Sequence, residues 1–160
     1  MRATDSSDYF SWERRLLDDL DDHEHAMSHE FHPLPPGHAH LRTVAMPRDT
    51  NPSGDIFGGW TVSQMDLAGA TFAVRRSHGR VATVSIEAMR FLHPIAVGDE
   101  VSCFCTLVDE GEHSITVKIE TWASSRAGEE TEKVTEGVFA YVAIDETGKP
   151  RGIRDGRRST

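Results

Sequence analysis

The chain has 160 residues, 38% of them hydrophobic and 27% charged, which is enough apolar material for the core of one domain and too short for a second catalytic domain. Its 17 Lys and Arg against 26 Asp and Glu leave a net charge of −9, so the molecule as a whole does not attract nucleic acid or an anionic membrane, and any anionic ligand must find a local basic patch. No uncharged apolar run of about 18 residues is present, nor a basic start followed by an apolar stretch, so neither a membrane span nor a secretory signal is expected, and the expected location is cytoplasmic.

Residues 1–40 differ from the rest. They carry three arginines against nine acids, six of the nine histidines and three of the seven prolines, with few branched apolar residues. Such a segment buries too little surface to offset the entropy of ordering it, and is expected to form an acidic, His-rich extension rather than part of the domain. Within it, Phe10, Leu16, Leu17 and Leu20 share one helical face that suits docking or fraying equally. His23, His25, His29 and His32 have the chemistry of zinc or nickel ligands but no fixed scaffold, and no metal is assigned.

The domain is expected over 41–152. It opens with a short strand in LRTVAMP, ended by Pro47, and a turn-rich loop, DTNPSGD. Residues 57–74 then carry a single charge, Asp66, and are followed by Arg75, Arg76 and His78, cations suited to a helix C-terminus. That pattern predicts one long helix, apolar on nearly every side and therefore buried.

Four alternating segments follow. Val84 and Ile86 alternate with Thr83, Ser85 and Glu87, and Val101, Cys103, Cys105 and Leu107 with Ser102, Phe104 and Thr106. Ile115, Val117 and Ile119 alternate with Thr116, Lys118 and Glu120, and Val138, Ala140, Val142 and Ile144 with Phe139 and Tyr141. Period two predicts four strands, and the short Gly-containing connectors suit antiparallel neighbours. The expected architecture is α+β, a five-stranded antiparallel sheet curled around one helix, with a homodimer as the simplest way to cover a sheet edge. Cys103 and Cys105 read as reduced core residues rather than a redox pair. Lys149, Arg151, Arg154, Arg157 and Arg158 lie within ten residues, a run that starts in the domain and continues through a basic tail, 153–160, and is compatible with a solvated tail or an anion site.

Asp66 is the residue that most needs an explanation, because its helical neighbours are Val62, Gly69, Ala70 and Ala73. A carboxylate on such a face either meets a cation across a subunit interface or does chemistry. Gly58 and Gly59 at the helix start leave N–H groups open to a carbonyl oxygen or oxyanion, or else permit tight packing. Asn51 can orient a water or a carbonyl, or simply make the turn. Ser63 lies in no nucleophile elbow, His78 and His93 sit beside turns, and there is no phosphate loop or dinucleotide fingerprint.

The motif N-x-x-G-D-I-F-G-G-W, residues 51–60, followed by S-Q-M-D, 63–66, together with HGRVATVSIEAMRFLHPIAVGDEV and FAYVAIDETGKPR, resembles the YciA-type acyl-CoA thioesterases of the hot-dog fold over residues 41–152. The resemblance implies a double hot-dog dimer, three of which form a hexamer, and hydrolysis of acyl-CoA thioesters to a free acid and coenzyme A. No cofactor is implied, coenzyme A being part of the substrate. It also implies that Asp66 acts as general base or nucleophile, and that Asn51 positions water or substrate, with one of the pair supplied by each subunit. Gly58 and Gly59, with Phe57 before them, match the positions whose amides hold the thioester carbonyl, and Thr83 matches a polar position near the reacting centre. Arg151 and Arg154 are assigned to the coenzyme A phosphates on charge alone. A non-catalytic acyl-CoA-binding protein is the alternative; a dehydratase would need a histidine that 41–76 lacks. Acyl-chain length depends on which of Trp60, Met65, Met89 and Phe91 face the groove.

Overall fold

The computed structural model describes residues 37–128 and 130–158, without the side chains of 156–158. The His-rich segment 23–32 and the helical face of Phe10, Leu16, Leu17 and Leu20 lie outside the described residues.

Strand β1, Leu41–Val44, stops short of Pro47, which starts a single 3-10 turn, Pro47–Asp49. Helix α1, Gly58–Ser77, begins one residue later than its pattern predicts and runs three residues further, so that Arg75 and Arg76 lie in its last turn, where cations favour the exposed carbonyl end. His78 ends it in the left-handed region at φ 52°. The remaining strands are β2, Val81–Phe91, β3, Glu100–Glu110, β4, Ser114–Ser124, and β5, Thr131–Ala143.

All neighbours in the sheet are antiparallel, in the order β1-β3-β4-β5-β2. The strands on either side of α1 in sequence are therefore the two edges of the sheet. A 20-residue helix is about 30 Å long, and five strands about 4.8 Å apart are about 19 Å wide, so α1 can cross the whole sheet and link its edges. The core forms where it crosses: Met65, Ala68 and Ala73 of α1 pack on Cys103, Ile115, Val117, Ile119, Phe139, Tyr141 and Ala143. Small residues on the helix let the curved sheet approach closely. A second cluster of Ala45, Ile95, Val101, Ala123 and Val134, with Ile56 and Trp60 against it, closes the end where α1 begins.

Three expectations change. The helix is not buried all round in a single chain: Thr61, Met65, Ala68, Gly69, Ala73 and Ser77 are buried, but Leu67 is 56% and Val74 42% exposed, because one sheet covers one face only. Strand β2 does not bury its Val84–Ile86 face; both residues are exposed, since β2 is an edge strand broken by two irregularities, between Thr83 and Ser85 and between Glu87 and Arg90. Ala88 adopts φ 50° in the second of these. Finally, Ile153 does not belong to the basic tail. It is buried in the main core, and its N–H donates to the Glu112 carbonyl at 3.0 Å, so the core reaches one residue past the expected boundary.

Candidate active site

The loop between β1 and α1 is organised by its own polar side chains. Asp49 Oδ2 accepts from the Met46 N–H at 3.0 Å, and the Thr50 hydroxyl donates to the Pro47 carbonyl. Asn51 Oδ1 accepts from the N–H groups of Ser53 and Asp55, at 2.9 and 3.1 Å, while Gly54 supplies the left-handed residue of the turn at φ 92°. Turn-making is thus one duty of Asn51. Its Nδ2 group donates to nothing among the described residues and remains open for a second.

The Phe57 N–H donates back to the Asp49 carbonyl, which fixes the entry of the chain into α1. No side chain caps the helix, and the N–H groups of Gly58 and Gly59 find no backbone acceptor among the described residues. They are the orphan donors of a helix N-terminus, carrying its partial positive charge. The Phe57 ring lies over Gly59: a Cβ there would be 2.6 Å from Phe57 Cε1, so only glycine leaves both the ring and the backbone in place. Beside these amides, Arg48, Asp49, Thr50, Phe57, Gly59, Trp60 and Ser63 line a cleft of about 360 Å³. Of the four residues considered for acyl length, Trp60 lines this cleft, Met65 is fully buried under the helix, Met89 packs on the core, and Phe91 is exposed next to Gly58.

Asp66 lies two helical turns further on and is partly buried. The Thr83 hydroxyl donates to its Oδ1 at 2.8 Å, and the Tyr141 hydroxyl shares its one proton between the same oxygen at 3.2 Å and the Asp66 carbonyl at 3.3 Å. Thr83 and Tyr141 are direct partners in the β2–β5 ladder, so antiparallel register places both hydroxyls side by side under the helix. Among the described residues, no cation pairs with Asp66 and Oδ2 accepts no hydrogen bond. Burial, then the neighbouring Asp66 carboxylate, pushes the Tyr141 phenol far above its ordinary pKa, so it stays a donor at any working pH.

The structure brings Thr83 to Asp66, and Phe57, Gly58 and Gly59 to the cleft. Among the described residues, the hydrogen bonds of Asn51 all stay within its own loop. Arg151 is turned elsewhere: its Nε donates to the Ile144 carbonyl, Nη1 to Gly152 and Nη2 to Ser77, at 3.1 to 3.2 Å, which ties the segment after β5 to the end of α1. All three guanidinium nitrogens hold backbone, whereas Arg154 is exposed. Sequence reasoning missed Tyr141, and the available signal was a phenol among the apolar residues of β5 that needed a buried partner.

The family description Thioesterase superfamily matches residues 53–129. The Escherichia coli K12 acyl-CoA thioester hydrolase YciA is 50% identical over 125 residues, which are 76% of this chain and 95% of that protein. The hexameric thioesterase y2039 of Yersinia pestis shares 52% identity at a TM-score of 0.71, covering 74% of this chain and 97% of that one. HI0827, a hexameric broad-specificity acyl-coenzyme A thioesterase crystallised as an aspartate-to-alanine variant, shares 48% identity at a TM-score of 0.71, covering 73% and 86%. With the helix, the sheet order and the loop all in place, the chain belongs to the hot-dog thioesterases, and among them to the YciA acyl-CoA thioester hydrolases.

Proposed function

We propose that this protein hydrolyses acyl-CoA thioesters to a free carboxylic acid and coenzyme A. The observation that carries the reading is Asp66, the one carboxylate on α1, held at Oδ1 by two hydroxyls with Oδ2 left open. As general base, Asp66 takes the proton of a water whose oxygen bonds to the thioester carbonyl carbon. The carbonyl oxygen becomes an oxyanion on the Gly58 and Gly59 amides, and the C–S bond then breaks to release coenzyme A thiolate. As nucleophile, the same carboxylate attacks the carbon directly, and water resolves the anhydride. A thiolate leaves readily, so neither route needs a strong general acid.

The two halves of this machinery belong to different subunits. Asp66 follows Gly59 by seven residues, about 10 Å along a helix axis, and helix N–H bonds point back towards the N-terminus, away from Asp66. An oxygen on those amides and a water on Asp66 of the same chain are too far apart for one carbonyl group. Two antiparallel copies of α1 across a two-fold axis bring Asp66 of each chain to the glycines and Asn51 of the other. The exposed Leu67 and Val74 on α1 and the apolar free edge at Val84 and Ile86 support that pairing. The hexameric relatives support a trimer of such dimers. A cytoplasmic location agrees with two unpaired cysteines.

The test is thiol release from a series of acyl-CoA esters, with Asp66→Asn at matched oligomeric state. The expected outcome is turnover by the native protein and a loss of about a hundredfold or more in the variant. Full turnover by Asp66→Asn removes the assignment of the base, and tight ester binding without thiol release by the native protein makes it a binding module.

A further inference from the structure

Tyr141 has no part in the reaction as written above, yet among the described residues it is the largest of the fully buried side chains, and its hydroxyl ends on the Asp66 carboxylate. A ring needed for packing alone would do as phenylalanine, and a buried hydroxyl is an expense unless it is matched. The helix also gives way to it. A Cβ on Gly69, one turn past Asp66, would fall on the Tyr141 hydroxyl and lie 2.8 Å from Tyr141 Cζ, so the phenol reaches the carboxylate only because position 69 has no side chain.

We propose that Tyr141 is a positioning residue for Asp66: together with Thr83 it fixes Oδ1 and so aims the unbonded Oδ2 at the reacting water or carbonyl carbon. The inference rests on the reading of Asp66 as base or nucleophile. Two donors from adjacent strands on one oxygen hold a carboxylate against rotation, which one donor does not. The groups that face Asp66 are Thr83 from β2 and Tyr141 from β5; Cys105 of β3 lies beyond the phenol as an uncharged thiol. The two hydroxyls are thus its fixings among the described residues, and removing one changes its aim.

Tyr141→Phe keeps the ring and removes only the hydroxyl. The expected result is a kcat lowered about tenfold or more with KM within about twofold, since a hydrogen bond to a charged group is lost in a step that depends on aim. In parallel, the Asp66 carboxyl carbon is observed by NMR at one fixed pH in protein labelled at aspartate, with Asp66→Asn to assign the signal. Its chemical shift moves in Tyr141→Phe, because a hydrogen-bond donor to Oδ1 is gone. An unchanged kcat overturns the proposal, and so does a lowered kcat with an unmoved signal, which assigns the loss to packing. A moved signal in a protein that hydrolyses no acyl-CoA ester leaves the positioning intact and removes the hydrolase reading.

Discussion

Replacing Gly69 by alanine tests a close approach between the helix and the sheet. The added Cβ would fall on the Tyr141 hydroxyl and lie 2.6 Å from Ile119 Cδ1 and 2.8 Å from Tyr141 Cζ. Neither neighbour can swing aside: Tyr141 and Ile119 are fully buried, and Phe139 packs parallel to the tyrosine ring at 6.5 Å between centroids. On an exposed helix the same change would add about 1 kcal/mol of stability. Here overpacking costs about 1–3 kcal/mol, and displacing the phenol loses a hydrogen bond to a carboxylate worth about 1.5–3 kcal/mol. The net expectation is a loss of about 1.5–5 kcal/mol. Urea unfolding at fixed protein concentration reads it as a midpoint lower by about 0.8–2.5 M, at a slope of about 2 kcal/mol per M. A midpoint equal to or above that of the native protein would refute the argument, because helix propensity would then have outweighed a contact that was never tight.

Two further outcomes follow from polar groups the core holds. Arg151→Met keeps the aliphatic stem and removes donors from three carbonyls, one of them that of Ser77 at the end of α1, so a loss of about 1–3 kcal/mol and a melting temperature lower by about 5 °C are expected. An unchanged melting temperature with a KM for acyl-CoA raised tenfold would instead make Arg151 a phosphate ligand. Burial pushes the Cys103 thiol up to about 11 and Cys105 up to about 12, so neither is expected to react with a disulfide reagent at pH 8 in the folded protein, while both react in urea. Because these folded values lie above the ordinary 9.0, the unfolded chain loses its thiol protons first. Stability is therefore whole below pH 9 and falls as pH rises from 9 towards 12, which a series of melting temperatures against pH would show; a flat series contradicts it.

Much of this is legible in the amino-acid sequence. The period-two segments became β2 to β5, the lone apolar run became α1, and the turn-formers of residues 49–55 became the loop that Asn51 ties together. Asp66 stood out because a single charge in an apolar helix demands a partner or a task. Its partners were not legible. Thr83 and Tyr141 follow it by 17 and 75 positions, and both faces of β5 are apolar, so alternation alone does not say that Phe139 and Tyr141 turn inward while Val138 and Val142 turn out. The contacts of Arg151 were not legible for a related reason: it lies in a run of basic residues, but the chain folds back after β5 and delivers it to the end of α1.

What the amino-acid order determined by itself is local: the periods that make each element, the caps and turns that end them, and a lone carboxylate in an apolar helix that demands a partner or a task. What the tertiary structure decided is which distant side chains meet. The pairing of Thr83 with Tyr141 depends on strand register, a one-residue slip of which would turn either hydroxyl to the other face of the sheet. The exposed face of α1 likewise depends on how much surface one sheet can cover. Both are properties of long-range packing, in which side chains far apart in sequence must fill one space, and no local pattern encodes them.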